Sequence, residues 1–189
     1  MSLVTLADYE ARFGDVPTAD EPKVQQLLDD ATSFVQQLTE QRLEKVDGDV
    51  VFLDVESWRY SKLFLPELPV RNVSAVVDHG TAVPASDYWW FSYGRLEKPY
   101  STWKAEGPRT VQVTYDHGFD PTPDWLVSIL CSIAYRGTKD ATINAVQSQS
   151  FVDAYAVTYG SRSWMGSQIG VTDGEHAQLM TLRALVVAM

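Results

Sequence analysis

The stretch from residue 49 to residue 118 constrains the fold most strongly, because its β-prone runs are short and closely spaced. The runs alternate apolar and polar residues, and proline, glycine and aspartate separate them. Parallel strands need connections of a dozen or more residues, usually a helix, and the links here are shorter. The stretch is therefore predicted to fold as an antiparallel sheet or a small sandwich.

Helices are predicted on both sides of this stretch. Before it, residues 5–13 suit a short helix, and apolar residues from Val24 to Leu38 recur at the spacing of one helical face. After it, Pro123 suits the first turn of a third helix, which we expect to end near Gly137.

The C-terminal part is predicted to form a hairpin and a last helix. Residues 148–159 alternate apolar and polar side chains, and residues 160–170 are rich in glycine and serine, which is typical of a loop. Thr172 and Glu175 have the spacing of a capping box, in which each side chain accepts a hydrogen bond from the other residue's backbone amide. We therefore expect a helix to begin just after Thr172.

These elements together predict an α+β fold. It consists of a bundle of about three to four helices, an inserted small antiparallel sheet or sandwich, and a C-terminal hairpin arm plus helix. We predict a single domain over residues 1–189. Its helical part covers about 5–46 and 121–189, and its β-rich insertion covers about 49–118.

The charge balance limits the classes of partner. The chain has 15 Lys+Arg against 25 Asp+Glu, which gives a net charge of −10 at pH 7. A protein that reads a DNA sequence needs basic residues to displace phosphate counterions, so sequence-specific DNA binding is not expected. The single cysteine, Cys131, is expected in the core. We expect no secretion leader and no membrane span of about 20 apolar residues, and hence assembly in the cytoplasm.

The sequence contains no complete catalytic or metal-binding constellation. His79 and His117 each follow a β-prone run within the tripeptide Asp-His-Gly, which is typical of turns. A zinc site needs three or four ligands at recurrent spacing, and the sequence has none. We therefore predict no enzymatic activity, no cofactor and no metal. A hydrolase site around Asp78, Asp116 and His117 is the least favoured hypothesis.

The aromatic run at residues 88–93 is the most unusual local feature. If the run is a strand, its alternation places Tyr88 and Trp90 on one face, and Trp89, Phe91 and Tyr93 on the other. One face is then able to enter the core, while the other stays exposed or meets a partner. Burial alone, a protein interface and ligand stacking all remain open explanations, because aromatic rings serve all three.

Five segments resemble the head-to-tail connector, or adaptor, proteins of tailed phages. Residues 22–31 are similar to the first long helix of that family, and residues 65–76 resemble its LP-x-x-PV-x-x-V strand. Residues 111–119 are similar to its V-x-VTY-x-HG strand ahead of a proline-capped helix. Residues 150–159 and 172–183 resemble its closing hairpin and helix. The sequence departs from the family by a longer aromatic insertion at residues 87–104 and a glycine- and serine-rich loop at residues 160–170.

The resemblance implies a structural protein of the virion neck. Family members form rings, commonly of about twelve copies, beneath the portal protein. Such a ring extends the DNA channel, lets DNA pass without sequence-specific binding, and docks the next neck, stopper or tail protein. It has no enzymatic activity and is assembled in the host cytoplasm. Closing a ring requires two different surface patches that meet between neighbouring subunits.

Three groups of residues are candidates for roles in such a ring. The aromatic run at residues 89–93 is expected to contact a neighbouring subunit or the next neck protein. An arm after residue 150, rich in polar and aromatic residues, is expected to order only on assembly. Acidic residues in the N-terminal part are candidates for lining the channel, although a solvated helix face explains them better. The alternative function is a carbohydrate- or ligand-binding module that uses the aromatic strand at residues 88–93. The interface candidates are Trp89, Trp90, Phe91, Tyr93, Phe151, Tyr155, Tyr159, Arg162 and Trp164, and the channel candidates are Asp29, Asp30, Glu40 and Glu44.

Overall fold

The computed structural model describes residues 3–55, 61–104, 107–143, 148–150, 156–158 and 171–182. For residues 140–143 and the two segments 148–150 and 156–158, only the backbone is described. The described residues combine helices with antiparallel sheets, so the predicted α+β class is confirmed. The helices are α1 (Leu6–Phe13), α2 (Glu21–Thr39), α3 (Asp124–Ile143) and α4 (Asp173–Met180).

The strands form three antiparallel sheets within the described part of the chain. One sheet has the strand order β1-β7-β3-β4, a second has the order β2-β6-β5, and β8 pairs with β9. The antiparallel arrangement predicted from the short links is thus confirmed. The strands are β1 (Val46–Leu53), β2 (Lys62–Phe64), β3 (Val70–Asp78), β4 (Thr81–Ala82), β5 (Trp89–Trp90), β6 (Arg95–Glu97), β7 (Val111–His117), β8 (Ser148–Ser150) and β9 (Ala156–Thr158).

The chain divides into two compact units. The first comprises Met1, Gln36–Pro121 and Gln178–Met189 and contains the four-stranded and three-stranded sheets. The second comprises Ser2–Val35 and Thr122–Ala177 and contains α1, most of α2, and α3. The expectation of a single domain over residues 1–189 stays a prediction.

Strand β7 contributes buried side chains to one face of the four-stranded sheet. Its residues alternate strictly between buried and half-exposed, and Val113 lies opposite both Val51 of β1 and Val76 of β3. Tyr115 is fully buried and lies opposite Val73. Each fully buried aliphatic side chain contributes about 1.5–3 kcal/mol of transfer free energy, so this alternation fixes which face of the sheet points inward.

The turn after β7 requires glycine. Gly118 has a φ of +82°, and a Cβ atom added there would lie 1.9 Å from the carbonyl oxygen of Glu44. The Gly118 amide donates to the Pro69 carbonyl at 3.0 Å, and the Phe119 amide donates to the Leu43 carbonyl at 3.0 Å. The segment at residues 44–45 therefore approaches Gly118 so closely that only hydrogen fits in place of a side chain.

The second unit begins with a capped helix. The Thr5 hydroxyl accepts from the Asp8 amide, and the Asp8 carboxylate accepts from the Thr5 amide at 2.9 Å, which is a capping box. At the other end of α1, the ring of Phe13 stacks on Tyr135 of α3 with centroids 4.3 Å apart. Cys131 of α3 is buried, as expected, and burial raises the pKa of its thiol to about 11.

The prediction that the third helix ends near Gly137 is wrong. Helix α3 continues to Ile143, so residues 138–143 are helical rather than irregular. A Cβ atom on Gly137 would lie 2.9 Å from a methyl carbon of Leu27. The glycine is therefore explained by the close packing of Leu27 against α3, which offsets its cost of about 1 kcal/mol in a helix.

The predicted capping box of the last helix is confirmed. The Thr172 amide donates to Glu175 Oε2 at 2.7 Å, and the Glu175 amide donates to Thr172 Oγ1 at 3.3 Å. Arg136 of α3 donates to both carboxylate oxygens of Glu175, at 3.1 and 2.9 Å. Burial alone would raise the pKa of Glu175, but the Thr172 amide and Arg136 hold it below its usual value.

Candidate interaction surface

The three-stranded sheet positions the aromatic run. Strand β6 lies in the middle, and Leu96 lies opposite both Leu63 of β2 and Trp90 of β5. Trp89 lies opposite Glu97 instead. Because neighbouring residues of a strand point to opposite faces, Trp90 and Trp89 project from different sides of this sheet.

Burial follows the same division. Tyr88 is buried and Trp90 packs against the core of the first unit, whereas Trp89 is 50% exposed and Tyr93 is 45% exposed. The prediction that one face of the run enters the core while the other keeps large aromatic rings exposed is confirmed for these residues. The exposed rings form the candidate surface.

The predicted alternation fails beyond Trp90. Strand β5 has two residues, and the Gly94 amide then donates to the Phe91 carbonyl at 2.9 Å, which closes a turn. Gly94 has a φ of +87°, and a Cβ atom added to it would lie 2.6 Å from a methyl carbon of Leu68. The turn replaces a straight strand because the glycine permits both the left-handed backbone and this close approach.

The turn gathers rings around a cation. Phe91 and Tyr93 stack with centroids 5.2 Å apart, and the Arg95 guanidinium carbon lies 4.1 Å from the Phe91 ring centre. Beside them, Trp89 meets Tyr100 edge to face at 6.3 Å, and Tyr100 is 88% exposed. Such cation–π and ring contacts orient the exposed rings. We call this surface the aromatic face, consisting of Trp89, Phe91, Tyr93, Arg95 and Tyr100.

An open depression of about 540 Å³ adjoins the aromatic face. It is open to solvent on one side, and aromatic rings form most of its wall. Concave, largely apolar sites of this size are where proteins bind ligands or protein segments. The depression is lined by Val73, Ala85, Tyr88, Trp89, Trp90 and Phe91.

The neighbouring Trp103 belongs to the core and not to the aromatic face. It is fully buried, and its indole nitrogen donates to the Ser61 carbonyl at 2.9 Å. The Lys98 ammonium lies 4.2 Å from the centre of its ring and donates to Asp78 at 2.7 Å. Asp78 also contacts His79 at 2.7 Å, in the turn between β3 and β4, so the turn predicted at His79 is confirmed.

His117 lies at a strand end, as predicted, but it is not a turn residue, because the chain bends only at Gly118. His117 is the last residue of β7 and is fully buried, on the same face as Tyr115. Its Nε2 lies 3.2 Å from Asp49 and 3.4 Å from Arg42, and its Nδ1 has no hydrogen-bond partner among the described residues. Burial and the Arg42 charge lower the pKa of His117, against the opposing effect of Asp49. The imidazole is therefore predominantly neutral at pH 7.

Arg42 links this histidine to both segments around β7. Its guanidinium donates to Asp49 and to Glu67, the latter at 3.1 Å, and its backbone amide also donates to Glu67 at 2.6 Å. Burial alone would raise the pKa of Asp49, but Arg42 holds it below its usual range. Gln41 contacts the same segment as Arg42, since its side-chain amide donates to the carbonyl of Pro66, the residue before Glu67, at 2.8 Å. Sequence analysis missed this network, although the two-residue period of β7 places residue 117 on the buried face.

The structure does not assemble the hydrolase site considered above. Asp116 and His117 are neighbours in β7 and project to opposite faces, and Asp116 instead accepts from the Gly48 amide at 2.7 Å. Asp78 lies opposite Val111, at the far end of β7. Among the described residues, no group of three or more His, Cys, Asp or Glu side chains is placed to hold a metal ion. Nor does any helix in that part of the chain have the length and apolarity to cross a membrane.

The remaining interface candidates belong to the proposed arm. The backbones of β8 and β9 pair as a hairpin, with Gln149 opposite Val157, as the alternation of residues 148–159 predicts. The five arm candidates lie outside the described residues: Phe151, Tyr155, Tyr159, Arg162 and Trp164.

The acidic channel candidates fall in both units. On α2, Asp29 and Asp30 accept hydrogen bonds from the glutamines one turn earlier, at 3.2 and 2.8 Å. Glu40 is exposed at the end of α2 with a φ of +55°, and Glu44 is half-buried beside Phe119. For Asp29 and Asp30, hydrogen bonding along a solvated helix face accounts for the positions that they occupy.

Comparison with known proteins gives structural matches only. No model of a known protein family matches the chain, and no curated protein matches it. Similar solved structures include a chain from the neck of a native GTA particle with C12 symmetry, at a TM-score of 0.49 and 16% identity over 79% of this chain and 80% of that chain. A chain from the neck of an empty GTA particle with C6 symmetry has a TM-score of 0.47 and 21% identity over 79% and 81% of the two chains.

A third similar chain comes from the virion of a native gene transfer agent (GTA) particle, with a TM-score of 0.43 and 19% identity over 80% of each chain. With every TM-score below 0.5, these similarities carry no conclusion about this chain.

Proposed function

We propose that this protein is a structural neck protein, the head-to-tail connector of a tailed phage or related particle. In this proposal the chain assembles as a ring beneath the portal protein, commonly of about twelve copies. The ring extends the DNA channel and docks the next neck, stopper or tail protein. The protein acts by contact alone and has no enzymatic activity.

The observation that carries the proposal is the physical connection between the two strand motifs of the resemblance. The LP-x-x-PV segment and the V-x-VTY-x-HG segment are neighbours in one sheet, where Val70 lies opposite His117. At the end of this pairing, the Gly118 amide donates a hydrogen bond to the Pro69 carbonyl at 3.0 Å. Glu67, within the first motif, holds Arg42, which contacts His117 in the second. Because the motif residues depend on one another for packing, they support a shared fold and not a chance match.

The charge of the chain supports the same proposal. A channel through which DNA slides must not hold phosphate groups tightly, and a protein with a net charge of −10 meets that need. For Asp29, Asp30, Glu40 and Glu44, a solvated surface is the first explanation. We propose a channel-lining role for them as the second explanation. Charge reversal of Asp29 and Asp30 to Lys would slow DNA passage if they line the channel, and would leave it unchanged if they are only solvated.

Assembly needs two unlike patches on each subunit. We propose the aromatic face, with Trp90 behind it, as one contact with a neighbouring subunit or with the next neck protein. Exposed aromatic rings are enriched at the energetic centres of protein interfaces. We propose the arm beyond residue 150 as the second contact. Its aromatic candidates and Arg162 would order on assembly.

The test is the mass of the purified protein in solution, alone and mixed with the portal protein encoded beside it. Light scattering should report either a ring or a monomer that joins the portal in multiple copies. A monomer that ignores the portal at concentrations well above those of assembly would contradict the proposal. The matched control is a mixture with a portal protein from an unrelated particle, which should recruit nothing.

A carbohydrate- or ligand-binding module is the alternative function. The open depression beside Trp89 and Trp90 favours it, since sugars stack on exposed aromatic rings. This alternative predicts a monomer whose tryptophan fluorescence changes on addition of oligosaccharides. Fluorescence that stays constant across a panel of glycans, with recruitment to the portal, would reject it.

A further inference from the structure

We propose that the aromatic face and its depression bind an extended, proline-containing segment of a partner protein. The inference deepens the proposed function by naming the chemistry that this surface recognises. It rests on the proposed function only in taking the partner to be another protein of the particle. A monomer that never forms rings would bind such a segment equally well, so the two proposals fail separately.

The lining of the depression suits proline better than sugar. Four of its six residues are aromatic, the other two are Val73 and Ala85, and the only polar side-chain groups are the Tyr88 hydroxyl and the two indole N–H groups. A bound sugar carries hydroxyl groups around its edge, and each one that loses water without a new partner weakens binding. A proline ring is apolar and its nitrogen carries no hydrogen, so it makes no such demand. The wall is therefore complementary to proline rings.

The two tryptophans also offer the hydrogen-bond donors that such a segment needs. The indole nitrogen of Trp103 is used within the core, whereas no described group accepts a hydrogen bond from Trp89 or Trp90. A polyproline-type backbone makes no internal hydrogen bonds and presents its carbonyl oxygens outward. An indole N–H between stacked rings is the donor that aromatic grooves use for proline-rich segments.

The surface is preorganised for binding. Trp90 is held by the core, and Tyr88 is buried beside it. The turn that presents Phe91 is closed by two backbone hydrogen bonds of 2.9 Å, from Phe91 to Arg95 and from Gly94 to Phe91. Rings that are already fixed lose little conformational entropy when a segment docks, which increases affinity.

Size and charge identify the occupant more closely. A depression of about 540 Å³ holds a few residues of an extended chain, whereas each side of a stable subunit interface buries about 800 Å². On the aromatic face Arg95 is paired with Glu97 at 3.3 Å, so neither charge selects the residues that flank the prolines, and an uncharged proline segment suits this surface. The occupant is thus a short segment of another protein and not a second copy of this chain.

Calorimetry with the full-length protein tests the inference. The probe is a decaproline peptide, compared with a glycine-serine peptide of equal length. Decaproline should bind more tightly, and Trp89→Ala should weaken its binding by about tenfold or more, as truncation of a central aromatic anchor does. Trp89→Phe keeps the ring and loses the N–H group, so it should weaken binding by a smaller factor, about threefold.

The matched control is Phe52→Ala. Phe52 is 43% exposed on the other large sheet and does not line the depression, so its loss should change peptide affinity by less than about twofold. Unchanged thermal unfolding of the Trp89 variants shows that they fold. The inference is overturned if no proline peptide binds, or if Trp89→Ala leaves the affinity unchanged. It is also overturned if oligosaccharides bind in place of peptides, or if Trp89→Ala alters only self-association.

Discussion

Replacing Gly118 by alanine should destabilise the protein far more than replacing another glycine of similar backbone conformation. The added Cβ atom would lie 1.9 Å from the Glu44 carbonyl oxygen and 3.0 Å from the Lys45 nitrogen. Ordinary contacts begin at about 3.4 Å, so the segment at residues 44–45 has to retreat by about 1.5 Å. That movement breaks the hydrogen bond from Phe119 to Leu43 and opens the junction between the two strand motifs.

Three costs combine in this substitution. A left-handed conformation costs a residue with a Cβ atom about 1–2 kcal/mol. Overpacking costs about 1–3 kcal/mol, and loss of one backbone hydrogen bond costs about 0.5–1.5 kcal/mol. The free energy of unfolding should therefore fall by about 3–6 kcal/mol, which lowers the thermal midpoint by roughly 10–20 °C in a chain of this length.

Gly48→Ala is the matched control. Gly48 has a φ of +69°, but no atom lies within 4 Å of the position of an added Cβ. Its substitution should cost only the conformational term of about 1–2 kcal/mol. Urea unfolding of both variants, with equal denaturant slopes, measures the difference. If Gly118→Ala lies within about 1 kcal/mol of Gly48→Ala, the close approach at the junction is not what the glycine provides.

Three further predictions concern ionisable side chains that are buried or half-buried. The unfolded chain protonates His117 near its ordinary pKa of about 6.5 while the fold keeps it neutral, so stability should fall from about pH 7.5 to about 5.5, by at most about 1.4 kcal/mol per pH unit. His117→Gln should flatten this slope, and a slope equal to that of the unchanged protein would exclude His117 as the source. Asp78→Asn leaves the buried Lys98 without its ion-pair partner, so the free energy of unfolding in urea should fall by about 3 kcal/mol. A decrease below about 1 kcal/mol would refute the buried pair. Glu175→Gln keeps an oxygen for the helix cap but loses the ion pair, so it should cost about 1 kcal/mol, whereas an unchanged thermal midpoint would show that the pair contributes nothing.

The parts of the fold that sequence reasoning predicted well are those governed by local rules. The two-residue period of β7 follows from burial on one face, and the capping box at Thr172 follows from adjacent unpaired amides. Both signals lie within a few residues of the chain. The glycine within α3 was not interpretable in this way, because its close neighbour is Leu27 of α2, more than a hundred residues earlier in the chain.

The candidate surface was predicted in part for a similar reason. Alternation correctly divides Tyr88 and Trp90 from Trp89. It fails at Phe91 because Gly94 closes a turn against Leu68, a contact that alternation does not encode. The misplacement of His117 has another origin: Asp-His-Gly is typical of a turn, yet counting in twos from Val111 puts the histidine on the buried face. Where the strand period and turn composition disagree, the period decides as long as the strand continues.

Native mass spectrometry of the purified portal mixed with this protein shows whether the chain forms a ring there. We expect a complex heavier than the portal by a fixed multiple of 21.2 kDa, about 254 kDa if about twelve copies bind. The mass should not change with further excess of the protein, because a closed ring has no free position. An unchanged portal mass, or a mass that grows without limit as protein is added, would contradict the claim.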